Sequence, residues 1–544
     1  MGVIDVTDPD DAPGASSRRA RAAVRGAAAI GLALLSACQV SPPRTSSRPL
    51  PATIPAVQQW QPQAQGDFRL GEHARIIRDP RAAADLETTS RLLGAGLTAL
   101  FGHDFPQVIG SEAEAQPGDI YLALQRNESA GMSPPAAAAG PEAYSLTIRE
   151  HLTIDAATDA GVFYGTQTVL QLLRESLQLP FGVARDWPLK PERGLSVDCG
   201  RKFFTAAWLR EEVSELAYLK LNTLHLHLTD NDGFRIESSS HPEIVAREHL
   251  TKQEIRDLIA FAAERHVTVI PEIDMPGHMG AILAAHPELQ LYDSAHTTPA
   301  PGTANYGLID LTNPQSYALM RDLLQEFLPL FPGSYWHIGA DEYVTDYAQY
   351  PQLLAYARAH YGPGANAKDT FLGFINWADA RVRAAGKTLR VWNDGLGGGA
   401  AVKVSPDVVV DYWMSYGLTP QQLVDDGHLI ANQSWDPTYY VTGYGTGNGR
   451  SPDLPWVYGV WQPDIFQKGQ TIPASDQARN LGSMLNVWCD NVAYETQTYI
   501  AGRIAQPLRV LAQRLWGSPK PTQTYAEFED LSARLGSHPD TAPR

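Results

Sequence analysis

The chain has 544 residues, with 60 Asp and Glu against 43 Lys and Arg, a formal net charge of −17. So acidic a balance excludes nucleic acid and anionic membrane surfaces as electrostatic partners. A hydrophobic content of 44% over this length suits one large domain and a smaller one. Taken in order, Arg18, Arg19, Arg21 and Arg25 precede an apolar run over 27–37. At roughly ten residues that run is too short to span a bilayer and right for a signal-peptide core. It ends Leu35-Ser36-Ala37-Cys38, which looks like a lipoprotein cleavage box. Residues 1–38 are therefore expected to be a lipoprotein signal with Cys38 as the lipidated terminus. That would place the protein outside the cytoplasm, touching membrane only through a lipid anchor; an ordinary secretory signal is the alternative. Residues 39–66, rich in Pro, Ser, Thr and Gln without apolar period, are expected to form a flexible tether.

Residues 67–188 mix strand and helix patterns and read as a small α/β domain. Asp119–Leu124 is a candidate strand, Tyr144–Ile148 with Leu152–Ile154 a candidate hairpin, and Gly161–Leu173 has helical spacing. No catalytic constellation is visible there. From 189 to about 520 the texture becomes repeated strand-then-helix. Candidate strands are Gly194–Val197, Thr223–Leu228, Val267–Ile270, Ser334–Ile338, Thr388–Trp392, Val408–Trp413, Leu429–Asn432 and Met484–Trp488. Thr251-Lys-Gln-Glu254 is a capping box opening one intervening helix. Eight such units predict a (β/α)8 barrel, leaving 521–544 as a C-terminal tail. Cys199 and Cys489 sit in apolar segments and read as buried thiols, since a pairing between them is not legible.

Chemistry in such a barrel sits at the C-terminal strand ends. Those ends carry Asp198, Asp230, Glu272, Asp274, the adjacent Asp341 and Glu342, Trp392 with Asn393 and Asp394, Trp413, and Trp488 with Asp490. Alone, Asp341-Glu342 could be a solvated acidic loop. Converging with tryptophans on one rim, two close carboxylates suit glycosidic bond cleavage, because one can stay protonated while the other is charged.

Four motifs then resemble a known family: Pro191-Glu-Arg193-Gly194; Leu224-His-Leu-His227-Leu-Thr-Asp230 followed by Gly233-Phe-Arg235; Pro271-Glu-Ile-Asp274-Met-Pro-Gly-His278; and His337-Ile-Gly-Ala-Asp341-Glu342. Together they look like glycoside hydrolase family 20, the β-N-acetylhexosaminidases and lacto-N-biosidases. The resemblance implies retention assisted by the substrate's own 2-acetamido carbonyl, an exception to the two-carboxylate scheme. By that resemblance Glu342 is the general acid and base, and Asp341 orients the acetamido group. Arg193 binds sugar hydroxyls, while Trp392, Trp413 and Trp488 wall the pocket. Tyr439, in register competition with Tyr440, donates to the attacking carbonyl. Asp230, His278 and, less centrally, Asp274 support the acidic pair. The substrate is an oligosaccharide or glycoconjugate, with no metal or organic cofactor. Two departures stand out: Thr438-Tyr439-Tyr440-Val441 lacks the acid usual after the pocket Tyr, and Asp490 stands where the family usually has Glu. Both bear on the grip of a terminal sugar's 4- and 6-hydroxyls, so release of a disaccharide is the alternative to release of terminal N-acetylhexosamine. Two readings from other classes are a zinc amidohydrolase using His225, His227 and Asp230 and an inactive sugar-binding lipoprotein.

Overall fold

The computed structural model describes residues 48–124, 140–293, 306–443, 449–491, 493 and 495–539. The signal segment and Cys38 lie outside these. The small domain is a seven-stranded sheet. Its strands are β1 (Gln59–Arg69), β2 (Ile76–Arg78), β3 (Gln107–Ile109), β4 (Ile120–Leu124), β5 (Tyr144–Ile148), β6 (Leu152–Ala156) and β7 (Gln178–Asp186), in the order β1-β7-β5-β6-β4-β2-β3. The expected hairpin is β5–β6 and the expected helix is Asp159–Glu175. That helix is buried on all sides along 161–173, packing on the sheet and against barrel helices Ala206–Tyr218 and Tyr525–Leu535. The close approach to the sheet needs glycine at 165, where a Cβ would fall 2.4 Å from Ile154 Cγ2.

Two expectations need correction. Much of 39–66 is not a tether: Ile54 is buried, its N–H donates to Gln171 Oε1 at 2.7 Å, and β1 pairs antiparallel with β7. The few apolar residues that anchor it, Ile54, Val57 and Trp60, show no period against their Pro- and Gln-rich surroundings. Nor is 521–544 simply a tail. Thr524 opens a capping box and Tyr525–Leu535 is a helix that buries Phe528, Leu531 and Leu535.

The barrel strands are β8 (Glu192–Asp198), β9 (Thr223–His227), β10 (Thr268–Glu272), β11 (Tyr335–His337), β12 (Thr388–Trp392), β13 (Val409–Tyr412), β14 (Ile430–Asn432) and, after a short extra strand β15 (Tyr439–Val441), β16 (Gly482–Trp488). All pair parallel in the order β14-β13-β12-β11-β10-β9-β8-β16-β15. The ring closes where Leu481 N–H donates to Ile430 O at 2.8 Å, and β15 adds to the upper half of β16. The eight expected strands are present; β15 is the addition. Cys199 and Cys489 are buried and free.

The barrel interior is charged rather than oily. Glu192 pairs with Arg390 at 2.5 Å, Arg390 with Asp411 at 2.6 Å, and Asp411 with His337 Nε2 at 3.0 Å. His337 lies 3.4 Å from Glu272, which also reaches His225 Nε2 at 2.9 Å and His227 Nδ1 at 3.1 Å. Buried charges persist only when partnered, and removing one partner costs more than the pair contributes. Arg390→Met should therefore lower unfolding free energy by about 3–5 kcal/mol, read from denaturant midpoints; a change below about 1 kcal/mol would mean that Glu192 and Asp411 do not depend on it.

Candidate active site

Strand β11 ends at His337, and the chain then turns through a left-handed path: φ is +66° at Gly339, +66° at Ala340 and +48° at Glu342. A Cβ on Gly339 would lie 1.9 Å from Asp274 Oδ1, so only glycine fits. Left-handed backbone costs about 1–3 kcal/mol at each non-glycine residue and persists where the surroundings over-determine it. Here three turn amides are tied to side chains. Gly339 N–H donates to His337 Nδ1 at 2.8 Å, Ala340 N–H to Asp274 Oδ1 at 3.3 Å, and Glu342 N–H to Asp394 Oδ2 at 2.7 Å. Neighbouring side chains on a straight strand would face opposite ways; this turn lets Asp341 and Glu342 line one cup.

The cup wall is aromatic. Trp392, Trp413, Tyr439 and Trp488 form their own apolar cluster apart from the main core, with Trp435 packed against it. Trp413, Trp435 and Tyr439 lie nearly parallel, with interplanar angles of 6–12°. Trp392 Nε1 donates to Glu272 at 2.9 Å and Trp413 Nε1 to Asp394 at 2.9 Å, fixing two rings from behind. His278, Arg201, Val441 and Asp490 complete the lining.

His278 stands between the acids, 3.3 Å from Glu342, 3.5 Å from Asp341 and 3.4 Å from Asp230. Burial pulls its imidazole down, but Asp230 and Asp341 outweigh that and hold it well above its ordinary value, favouring the imidazolium. Burial pushes the Asp341 carboxyl up, with His278 opposing and Glu272 and Glu342 adding. Glu342, half exposed, is pulled below the usual carboxylate range by His278, whose Nε2 lies 3.3 Å away. Burial raises Asp394 to about 7, reinforced by Asp341. Arg201 is the second cation, 3.0 Å from Asp198, 3.1 Å from Asp230 and 3.6 Å from Asp490.

Of the residues read from sequence, Asp341, Glu342, His278, Trp392, Trp413, Tyr439, Trp488 and Asp490 are brought together here. Asp230 lies just behind them, bonded to His227 Nε2 at 2.9 Å. Tyr439 lines the cup, whereas Tyr440 turns away and donates to Glu495 at 2.6 Å. Arg193 is a correction. It is the second residue of β8, at the opposite end of the barrel, fully buried, and donates to Lys190 O and Lys220 O at 2.7 and 2.9 Å. A guanidinium so engaged, and paired with Glu142 at 2.9 Å, ties the barrel floor to the small domain. The arginine in the cup is Arg201, three residues past the end of β8, where the strand-end rule places it. From sequence Asp394 reads only as a strand-end acid, and Trp435, which opens the short helical turn after β14, has no periodic signal. His225 and His227 are buried against Glu272, and Asp230 already faces Arg201, so a cation there would sit beside a guanidinium. A larger hollow of about 560 Å³, against about 160 Å³ for the cup, opens at the barrel floor between Glu142, Glu192, Asn222 and Tyr335. It lies at the N-terminal strand ends, away from the convergent acids, and the strand-end rule favours the cup.

Carboxylates and aromatic rings meet at the rim of a (β/α)8 barrel, the end of this fold that carries chemistry. The comparisons agree. The family model described as "Glycosyl hydrolase family 20, catalytic domain" matches residues 191–519, and "Glycosyl hydrolase family 20, domain 2" matches 50–187. The chain belongs to glycosyl hydrolase family 20. Relatives include a lacto-N-biosidase from Bifidobacterium bifidum, 30% identical over 494 residues, covering 89% of this chain and 42% of that protein. A β-N-acetylhexosaminidase from Cellulomonas fimi is 32% identical over 424 residues, covering 74% and 78%. A Flavobacterium johnsoniae chitobiase structure superposes with TM-score 0.70 at 25% identity, covering 89% of this chain and 72% of that one. A β-N-acetylhexosaminidase structure from Streptomyces coelicolor gives 0.70 at 24%, covering 90% and 95%. The chain spans 42%, 58% and 51% of the length of three curated relatives it matches.

Asp394 carries the Glu342 amide and one pocket tryptophan on a single carboxylate, so Asp394→Asn should lower kcat at least about 10-fold with a smaller change in KM. Its raised pKa also has a thermodynamic sign. A carboxyl bound to its proton more tightly in the folded state makes stability fall as pH rises from about 4 through about 7. Denaturation at pH 5 and pH 7.5 should show that loss in the wild type and less of it in Asp394→Asn; equal slopes would remove Asp394 as the titrating group.

Proposed function

We propose that the protein is a retaining exo-glycosidase that releases terminal β-linked N-acetylhexosamine from oligosaccharides or glycoconjugates, with the substrate's acetamido oxygen as nucleophile. The observation that supports this best is Asp341 Oδ1, a buried carboxylate oxygen in the wall of the aromatic cup with no hydrogen-bond partner among the described residues. Such an atom is costly unless something completes it, and an acetamido N–H is a donor of the right kind. The acetyl group would pack among Trp392, Trp413 and Trp488, and the Tyr439 hydroxyl would donate to its carbonyl oxygen. That oxygen attacks the anomeric carbon, forming an oxazolinium ion, while Glu342 delivers its proton to the departing oxygen. Glu342 then takes a proton from the water that opens the ring, regenerating the sugar with retained configuration. Substrate adjusts both acids in the required sense. The acetamido N–H lowers Asp341, so it is charged beside the developing cation, and an aglycone covering Glu342 raises it. His278 holds both carboxylates through a single imidazolium, and the chemistry needs no metal or organic cofactor.

Glu342→Gln should cut turnover of an unactivated substrate by about 10²–10⁴-fold, and Asp341→Asn should be comparably severe. A thiazoline mimic of the oxazoline should inhibit far below KM. Efficient cleavage of a β-glucoside lacking the acetamido group would contradict the mechanism.

A second reading, release of a disaccharide, is favoured by the far end of the cup. The segment after Tyr439 offers Val441 and no carboxylate to the lining, while the half-exposed Asp490 leans toward Arg201 at 3.6 Å. By the family resemblance one of the two acids that grip a terminal sugar's 4- and 6-hydroxyls is missing and the other is shortened to Asp490, and the Bifidobacterium relative aligned over 89% of this chain bears the name lacto-N-biosidase. Rates on the p-nitrophenyl glycosides of N-acetylglucosamine, N-acetylgalactosamine and lacto-N-biose, measured side by side, separate the readings: the first predicts the monosaccharides, the second the disaccharide. No helix among the described residues is long and apolar enough to cross a membrane. The sequence before the folded body supports an extracytoplasmic protein anchored through Cys38, with no nucleic-acid partner. Cys38→Ala should abolish fatty-acid labelling and release the protein from the membrane fraction; unchanged labelling would reject the anchor.

A further inference from the structure

Above β9 and β10, away from the cup, a second set of side chains converges. His241 and Glu243 lie in the loop after β9, and His286 closes the helix Gly280–Ala285. Glu243 Oε1 lies 2.9 Å from His241 Nδ1 and 3.0 Å from His286 Nε2. The two imidazole planes stand edge to face at 86° with centroids 6.0 Å apart, and one nitrogen of each ring and a Glu243 oxygen all lie within 4.8 Å of one another. Each ring is backed by a further acid: His286 Nδ1 is 3.2 Å from Glu288, and His241 Nε2 is 3.7 Å from Asp322. His241 Nε2 is buried and makes no hydrogen bond among the described residues.

We propose that His241, Glu243 and His286 form a zinc site. Two imidazole nitrogens and one carboxylate oxygen with a solvent-facing fourth position are a set that zinc accepts. The side chains keep 17%, 43% and 23% of their exposure, which leaves room for an ion to enter with a water. Tetrahedral bonds of about 2.1 Å hold donors about 3.4 Å apart, so the 2.9 and 3.0 Å spacings from Glu243 to the two rings have to open by only a few tenths of an ångström. Each neutral ring would then carry its proton on the outer nitrogen, toward Glu288 and Asp322, an arrangement that orients histidine ligands in metal sites. The ion would fasten the loop after β9 to a helix that begins two residues past His278, bracing the rim from outside. Affinity falls as the pH is lowered and the imidazoles protonate.

The test is titration of chelator-treated full-length protein with zinc chloride by calorimetry, with melting temperature followed in parallel. The wild type should bind one more equivalent than Glu243→Gln or His286→Ala and should show a zinc-dependent rise in Tm that both variants lose. Glu288→Gln should keep the site and weaken it about 10-fold. Identical stoichiometry, affinity and melting shift in the wild type and both ligand variants would overturn the proposal.

Discussion

Three backbone amides of one turn, those of Gly339, Ala340 and Glu342, are held by side chains of β11 and of the segments that leave β10 and β12. Everything at the rim depends on this. The turn is intrinsically unfavourable, with left-handed backbone at Ala340 and Glu342. Three hydrogen bonds, at about 0.5–1.5 kcal/mol each, are together the right size to offset it. Without them the chain would relax toward extended backbone, and Asp341 and Glu342 would diverge. The strain is thus the means by which consecutive residues line one cup.

The acceptors are themselves held from below. His337 accepts the Gly339 N–H on Nδ1, which leaves its proton on Nε2, facing Asp411 at 3.0 Å. Asp411 is fixed by Arg390, and Arg390 by Glu192 at the barrel floor. From Glu272 the chain of contacts runs through His227 and Asp230 to His278, which touches both rim acids. One polar column therefore joins floor to cup. Such a column specifies side-chain positions more than it adds stability, because each buried charge first loses its hydration.

Much of this was legible in the sequence where it repeats or where chemistry is dense. The eight barrel strands, the capping box at Thr251 and the paired acids after β11 carry period, cap and motif signals that do not need tertiary context. What failed to read did so for physical reasons. Ile54 and Trp60 are anchored by long-range contacts, to Gln171 and to β7, which leave no pattern along the chain. Arg193 and Arg201 are alike as residue types; only the direction of β8 decides that one lies at the floor and the other in the cup. Asp394 has its role through the Glu342 amide and Trp413, two contacts made across the rim that no spacing encodes.

The central claim is that a sugar's own amide oxygen, steered by Asp341, is the nucleophile. Replacing the N-acetyl group of an aryl glycoside stepwise by mono-, di- and trifluoroacetyl leaves shape nearly constant while draining electron density from that oxygen. The account predicts that kcat/KM falls steeply along the series, by orders of magnitude in all. A flat dependence would mean that the amide takes no part in bond making and would contradict it.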